Sequence, residues 1–156
     1  MEPKHVKSAH SLLSEYLSKF HLHPEFDLED FVHAFLPRPD VVDTFVVLAP
    51  GDVVTDICSF YHLPSTVIGN DKHDTLKAAY SFYNVATSMP LVDLMRDALV
   101  CAKNCGMDVF NALDIMENDS FLKPLKFGIG DGHLQYYLYN WRTAPMDPSD
   151  IGLVLL

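Results

Sequence analysis

Lys126-Phe127-Gly128-Ile129-Gly130-Asp131-Gly132 leads, after His133, into Leu134-Gln135-Tyr136-Tyr137-Leu138-Tyr139-Asn140-Trp141. In the first stretch three glycines alternate with Phe127, Ile129 and Asp131. Glycine at this density lets another backbone or a ligand approach closely and admits positive φ. The second stretch alternates well enough to predict a strand. Read without context, the pair is a tight turn before a strand. It is not a dinucleotide fingerprint, because the spacing differs and no helix follows. The chain closes on Gly152-Leu153-Val154-Leu155-Leu156, an apolar run. That run predicts a final strand over 151–156 and a buried tail, with the terminal carboxylate carried inside. A buried carboxylate is costly unless something pairs or uses it.

Upstream, helices and strands interleave. Val6, Ala9, Leu12, Leu13, Tyr16, Leu17 and Phe20 recur at helical spacing and predict a helix over 4–20. His21-Leu22-His23-Pro24 ends it. Asp27 is placed as N-cap of a second helix over 28–36, with Glu29 and Asp30 in its first turn and Pro37 beyond it. The β-branched segments 41–48 and 53–63, joined by Pro50-Gly51-Asp52, predict a hairpin. Residues 64–74 read as loop. The segment 76–85 favours a strand through Tyr80, Phe82 and Tyr83. Ser88-Met89-Pro90 opens a helix whose stripe is Leu91, Met95, Ala98, Leu99 and Ala102, and Gly106 stops it. A short buried strand over 109–113 and a short helix over 118–125 complete the pattern. The class is α/β or α+β around a mixed sheet.

The 156 residues fit one domain with a substantial core. Apolar residues make up 49% and charged residues 21%, the balance of a globular chain. A net charge of −10 argues against non-specific binding to nucleic acid or anionic membrane and suits a basic partner. Three cysteines, Cys58, Cys101 and Cys105, make no disulfide framework, so a reducing, cytoplasmic setting is expected. No apolar run is long enough to span a bilayer, and the first residues carry no secretory signal pattern.

Several side chains invite a chemical reading. His21 and His23, with Asp27 and Glu29, contain metal-binding residue types but lack the usual ligand spacing, so no metal is expected. Cys101 and Cys105 read as small residues packing in a helix core. His62 and His133 show no catalytic partner. Tyr80, Tyr83, Tyr136, Tyr137 and Tyr139 either line an amphipathic groove or pack in the core. From these residues alone no reaction follows.

Longer stretches carry a resemblance. Lys126 to Gly132 with Leu134 to Trp141 resembles the C-terminal signature of glycylpeptide N-tetradecanoyltransferases (N-myristoyltransferases). So do Ser59-Phe60-Tyr61 with Leu63-Pro64-Ser65-Thr66, the run from Leu76 to Val85, and Asp108-Val109-Phe110-Asn111-Ala112-Leu113-Asp114. The closing Gly152 to Leu156 is most similar to plant members.

The resemblance implies an acetyltransferase-like (GNAT-type) mixed sheet flanked by helices, forming most of the second half of that fold. Residues 1–156 are then a single peptide-binding domain. The acyl-CoA-binding half, with its Asn-Phe-Leu-Cys signature, is expected to lie outside this chain, as is the opening strand of the second half. The implied reaction moves a myristoyl group from myristoyl-CoA, a co-substrate and not a bound cofactor, to the N-terminal glycine amine of proteins. By the same resemblance the terminal carboxylate of Leu156 is the catalytic base. Ser65, Leu76, Tyr80, Asn111, Asp131 and Gly132 line the peptide groove, with Asp131 facing a substrate lysine. Val154 and Leu155 form the buried tail behind the base. The alternative is a module that binds glycine-terminated peptides without transferring acyl groups. An ordinary acetyl-CoA-dependent acetyltransferase would need an Arg/Gln-x-x-Gly-x-Gly/Ala turn, which the sequence lacks.

Overall fold

The computed structural model describes residues 1–155. A 3₁₀ turn at Pro3–His5 runs into helix α1 (Val6–Leu17), and α2 spans Leu28–Phe35. The sheet strands are β1 (Val42–Ala49) and β2 (Val53–His62), then β5 (Ala78–Ser81), β6 (Val85–Ala86) and β7 (Val109–Asn111). Between β2 and β5 lies a small ribbon of β3 (Ser65–Thr66) and β4 (Thr75–Leu76). Helix α3 spans Leu91–Asn104 and α4 spans Asp119–Leu122.

The sheet order is β1-β2-β5-β7, with β6 also pairing β2. All pairs are antiparallel except β5 with β7. The architecture is therefore the expected mixed α/β arrangement. Side chains alternate across β2 as a two-sided strand requires. Ile57 joins one core with Ala9, Leu13 and Leu17 of α1 and Phe31 and Phe35 of α2. Cys58 joins the other with Leu94, Met95 and Ala98 of α3 and Phe121 of α4. The first core is rich in rings: Phe35 stacks on Phe31 at 4.7 Å and on Phe82 at 4.9 Å. Such aromatic pairs add about 0.5–1.5 kcal/mol each beyond burial.

Local chemistry sets several boundaries. Asp27 caps α2 by accepting the Asp30 N–H at 2.8 Å. Gly106 takes φ +81° just past α3, a conformation that costs glycine little. Ahead of α3, Asp56 is fully buried on β2 and accepts the backbone N–H groups of Thr87 and Ser88 at 2.8 and 2.9 Å, and also the hydroxyls of Thr55 and Ser88.

Six expectations change. Leu134 to Trp141 forms no strand: it is irregular, with Tyr137 and Tyr139 almost fully exposed. Alternation supplies β propensity, but a strand also needs a partner for its backbone groups. The final strand is likewise absent among the described residues. Only an isolated parallel bridge joins Ile151 to Leu22. The loop over 64–74 contains β3, and the strand over 76–85 breaks into β4, β5 and β6. Strand β7 is shorter than expected and half-exposed, because it lies at the end of the sheet order. Finally, Gly128, Gly130 and Gly132 take no positive φ, and a Cβ on any of them would meet open space.

Candidate functional site

Three strands place Tyr61, Tyr80 and Asn111 in one row. Tyr61 is the register partner of Tyr80 across β2 and β5, and Tyr80 that of Asn111 across β5 and β7. Register partners project to one face, and the Tyr61 and Tyr80 rings stack there at 5.3 Å. The ribbon prolongs the same hairpin. Leu63 donates its N–H to the Ala78 carbonyl at 2.9 Å, and Ser65 then pairs with Leu76 without a change of register. The structure thus brings Ser65, Leu76, Tyr80 and Asn111 into one continuous surface. Ser65 and Leu76 are exposed, whereas Tyr80 and Asn111 are half-buried.

Tyr61 belongs to that surface and is missing from the expected groove residues. Its signal was the two-residue period through Tyr61, Leu63 and Ser65, which aligns them on one face. Burial raises the Tyr61 phenol above its ordinary range, and the neighbouring Tyr80 and Tyr136 add to the shift. It stays neutral at physiological pH and offers a hydrogen-bonding hydroxyl on an apolar wall.

The chain's tail lies against this region through two further phenols. The Tyr136 hydroxyl donates to the Leu153 carbonyl at 2.9 Å. The Val154 N–H donates to the Tyr83 Oη at 3.0 Å. Tyr83 is 1% exposed, and burial pushes its phenol up to about 12, opposed by the Val154 bond. Further upstream, the Asp150 carbonyl accepts the N–H groups of His21 and Leu22, and Gly152 donates to the Leu22 carbonyl at 2.7 Å. The tail is therefore buried at Val154, as expected, but Leu155 is 58% exposed. A turn of one residue along an extended chain reverses the side-chain direction. Leu156, the expected base, lies outside the described residues.

Asp131 and Gly132 sit in the exposed irregular stretch. Among the described residues Asp131 makes no ion pair. The geometry does not join these two to the tyrosine row.

Two other sequence candidates resolve differently from expectation. His62 does have a carboxylate partner: its Nε2 lies 2.7 Å from Asp43 Oδ2, because β1 and β2 set the two side by side. Cys105 is exposed at the C-cap of α3 and does not pack in the core, whereas Cys101 is half-buried. His21 and His23 diverge. The His23 Nδ1 is 2.8 Å from the Phe20 carbonyl, and the His21 Nδ1 is 3.8 Å from Asp150.

Comparison with known proteins gives the chain a family. Residues 1–154 match the family described as Myristoyl-CoA:protein N-myristoyltransferase, C-terminal domain. The glycylpeptide N-tetradecanoyltransferase 2 of Danio rerio is 58% identical over 155 residues, covering 99% of this chain and 32% of the relative. Glycylpeptide N-tetradecanoyltransferase 1 of Arabidopsis thaliana is 56% identical over 158 residues, covering 100% and 36% respectively. The chain thus spans about a third of the length of these curated relatives. A crystal structure of Saccharomyces cerevisiae N-myristoyltransferase with bound myristoyl-CoA superposes with a TM-score of 0.90 at 32% identity, over 100% of this chain and 43% of that one. A protein from Clostridium acetobutylicum described as a predicted acetyltransferase, solved with acetyl-CoA, shares the fold at TM-score 0.67 and 12% identity, over 92% of this chain and 96% of that one. The GNAT-type fold expected from the sequence is thereby established, and the chain belongs to the N-myristoyltransferase family, matching its C-terminal domain.

Proposed function

We propose that this chain supplies the peptide groove and the base for transfer of a myristoyl group to the N-terminal glycine of protein substrates, with myristoyl-CoA as co-substrate. Residues 1–156 act as one peptide-binding domain. The groove is the surface carrying Ser65, Leu76, Tyr80 and Asn111, and Asp131 and Gly132 meet the peptide separately, from the exposed irregular stretch. The base is the carboxylate of Leu156.

A glycine α-ammonium has a reference pKa near ~8, so it is mostly protonated at pH 7 and lacks a free electron pair. A carboxylate in water is a weak base for that proton. Partial burial raises its proton affinity toward the task. Once deprotonated, the amine attacks the thioester carbonyl carbon. The new C–N bond forms, the C–S bond breaks, and the coenzyme A thiolate takes the second proton lost by the amine nitrogen. Donors for the oxyanion of that step belong to the acyl-CoA half.

The observation that carries this reading is the anchored tail. Leu153 and Val154 are hydrogen-bonded by Tyr136 and Tyr83, and Tyr136 and Tyr61 pack against the same core. The negative net charge of −10 suits a cationic peptide end. All three cysteines are free, which fits the cytoplasmic setting proposed for it.

The test is peptide binding to the purified chain. A glycine-starting peptide with serine at position five is compared with the same peptide acetylated on its glycine. The free-amine peptide binds about tenfold more tightly, a difference of about 1.4 kcal/mol. Adding one residue after Leu156 abolishes the preference. Equal binding of both peptides to the unaltered chain would overturn the reading.

A further inference from the structure

Two consecutive aromatic side chains, Phe82 and Tyr83, enter the same core, together with Val85. In a regular strand successive side chains alternate between faces, so neighbours do not share one. The pairing with β2 explains the exception. Ile57 faces Val85 of β6, and Phe60 faces Ser81 of β5. On β2 only Cys58 and Ser59 lie between, whereas Phe82, Tyr83 and Asn84 lie between the partners. The facing segment therefore carries one extra residue, a β-bulge. Its effect on direction is specific. Tyr80 shares the face of Tyr61, and Val85 that of Ile57, and Tyr61 and Ile57 are separated by an even step on β2. Tyr80 and Val85 are separated by an odd step, so only the extra residue puts them on one face.

Buried side chains hold the bulge. The Phe82 N–H still donates to the Ser59 carbonyl at 2.9 Å. Beyond it side chains replace the backbone ladder. The Tyr83 N–H donates to Ser59 Oγ at 3.0 Å, and that hydroxyl donates to the Tyr83 carbonyl at 2.7 Å. The Ser59 N–H donates to Asn84 Oδ1 at 3.2 Å, and Asn84 Nδ2 donates to Ser81 Oγ at 2.8 Å. Ser59, Ser81 and Asn84 are all buried. Buried backbone groups need partners, and Ser59 and Asn84 supply the ones that the interrupted ladder does not.

We infer that Ser59 and Asn84 are positioning residues: they fix a one-residue bulge that turns Tyr80 of the proposed groove and Tyr83, the anchor of the tail, to the same face of the sheet. The inference rests on the proposed groove. On one side of the bulge Tyr80 stacks on Tyr61 at 5.3 Å. On the other, the Tyr83 ring packs against Phe82 at 4.6 Å and Phe35 at 5.8 Å, and its Oη accepts the Val154 N–H at 3.0 Å. A slip to regular pairing would send Tyr83 to the opposite face, away from the tail. Bulges beside functional sites re-aim side chains in this way. Groove wall and tail anchor thus share one joint, built from two residues too buried to touch a ligand themselves.

The experiment uses the 156-residue chain and its Ser59→Ala and Asn84→Ala variants. Amide exchange at Val154 reads the place of Tyr83. The nuclear Overhauser contact between the Tyr61 and Tyr80 rings reads that of Tyr80, and affinity for a glycine-starting peptide reads the groove. In Ser59→Ala, exchange at Val154 accelerates about tenfold while exchange at Ala98 in α3, in the other core, is unchanged. The ring contact weakens, and peptide affinity falls about fivefold. Equal acceleration at Val154 and Ala98 would mark a general loss of stability and overturn the inference. An unchanged ring contact, or unchanged peptide affinity beside a lost ring contact, would overturn it too. Should Ser59→Ala fail to fold, Asn84→Ala, which keeps the hydroxyl and frees one backbone N–H, is read by the same measurements with the same expectations. Tyr80→Ala separates the groove reading: unchanged affinity there refutes the groove, while exchange at Val154 still judges the bulge.

Discussion

Gly152 lies flat against the ring of Phe20, so close that a Cβ added to it would stand 2.7 Å from the Phe20 Cδ2. The contact explains a glycine that no turn requires, since Gly152 has no positive φ. It also joins the end of α1 to the tail, because Gly152 donates to the Leu22 carbonyl two residues after Phe20. Phe20 is buried and edge-packed on Tyr16 at 5.2 Å, so its ring has little room to yield. Gly152→Ala is expected to destabilise the chain by about 1–3 kcal/mol through overpacking. Urea unfolding measures this as a lower midpoint at unchanged slope. Pairing it with Phe20→Leu should recover part of the loss, since residues in contact are energetically coupled. A midpoint unaffected by Gly152→Ala would show that the tail is not held against this ring.

Asp56 links β2 to the start of α3 and carries a pH dependence of stability. Burial alone would raise its pKa, but the side-chain and backbone hydrogen bonds from Ser88, with those from Thr55 and Thr87, outweigh it and hold the carboxyl below its ordinary value. A group depressed in the folded state stabilises fully above its unfolded pKa, which is about 3.9. That contribution fades as pH falls through the folded value. Asp56→Asn keeps the shape but removes the charge and one acceptor, and should cost about 1.5–3 kcal/mol at pH 7. At pH 3 the gap between Asp56→Asn and the unaltered chain should narrow. Unfolding midpoints of both chains at the two pH values check this, and a gap that widens on acidification would contradict it.

The elements that were legible in the sequence are those whose signal is local. Asp27 as a cap, the α1 stripe from Val6 to Leu17 and the turn at Gly106 each follow from neighbours within a few residues. Leu134 to Trp141 failed for the opposite reason: its alternation is local, but a ladder partner is not. The site divides in the same way. Ser65, Leu76, Tyr80 and Asn111 came from matching motifs, and the hairpin register then brings them together. Tyr83 and Tyr136 were visible only as aromatics. Their grip on Leu153 and Val154 spans contacts seventeen and seventy-one residues apart, which no periodicity encodes. His62 is similar, since its partner Asp43 is set by the pairing of β1 with β2.

Asp131 offers the clearest test of substrate choice. It is exposed, and among the described residues it is committed to no ion pair, so its charge is available to a ligand. Solvent weakens any such pair, and an exposed carboxylate facing a lysine contributes about 0.2–1 kcal/mol. Asp131→Asn removes the charge at nearly constant shape. It should therefore weaken binding of a glycine-starting peptide with a lysine after its serine by about two- to fivefold. Binding of the same peptide with norleucine in place of that lysine should barely change. The preference should also shrink in salt, because ions screen exposed pairs within about 10 Å at 0.1 M. Fluorescence anisotropy with the two peptides, at low and moderate ionic strength, measures all three effects. An equal loss for both peptides would remove the ion-pair role and leave Asp131 as part of the stretch's backbone conformation only.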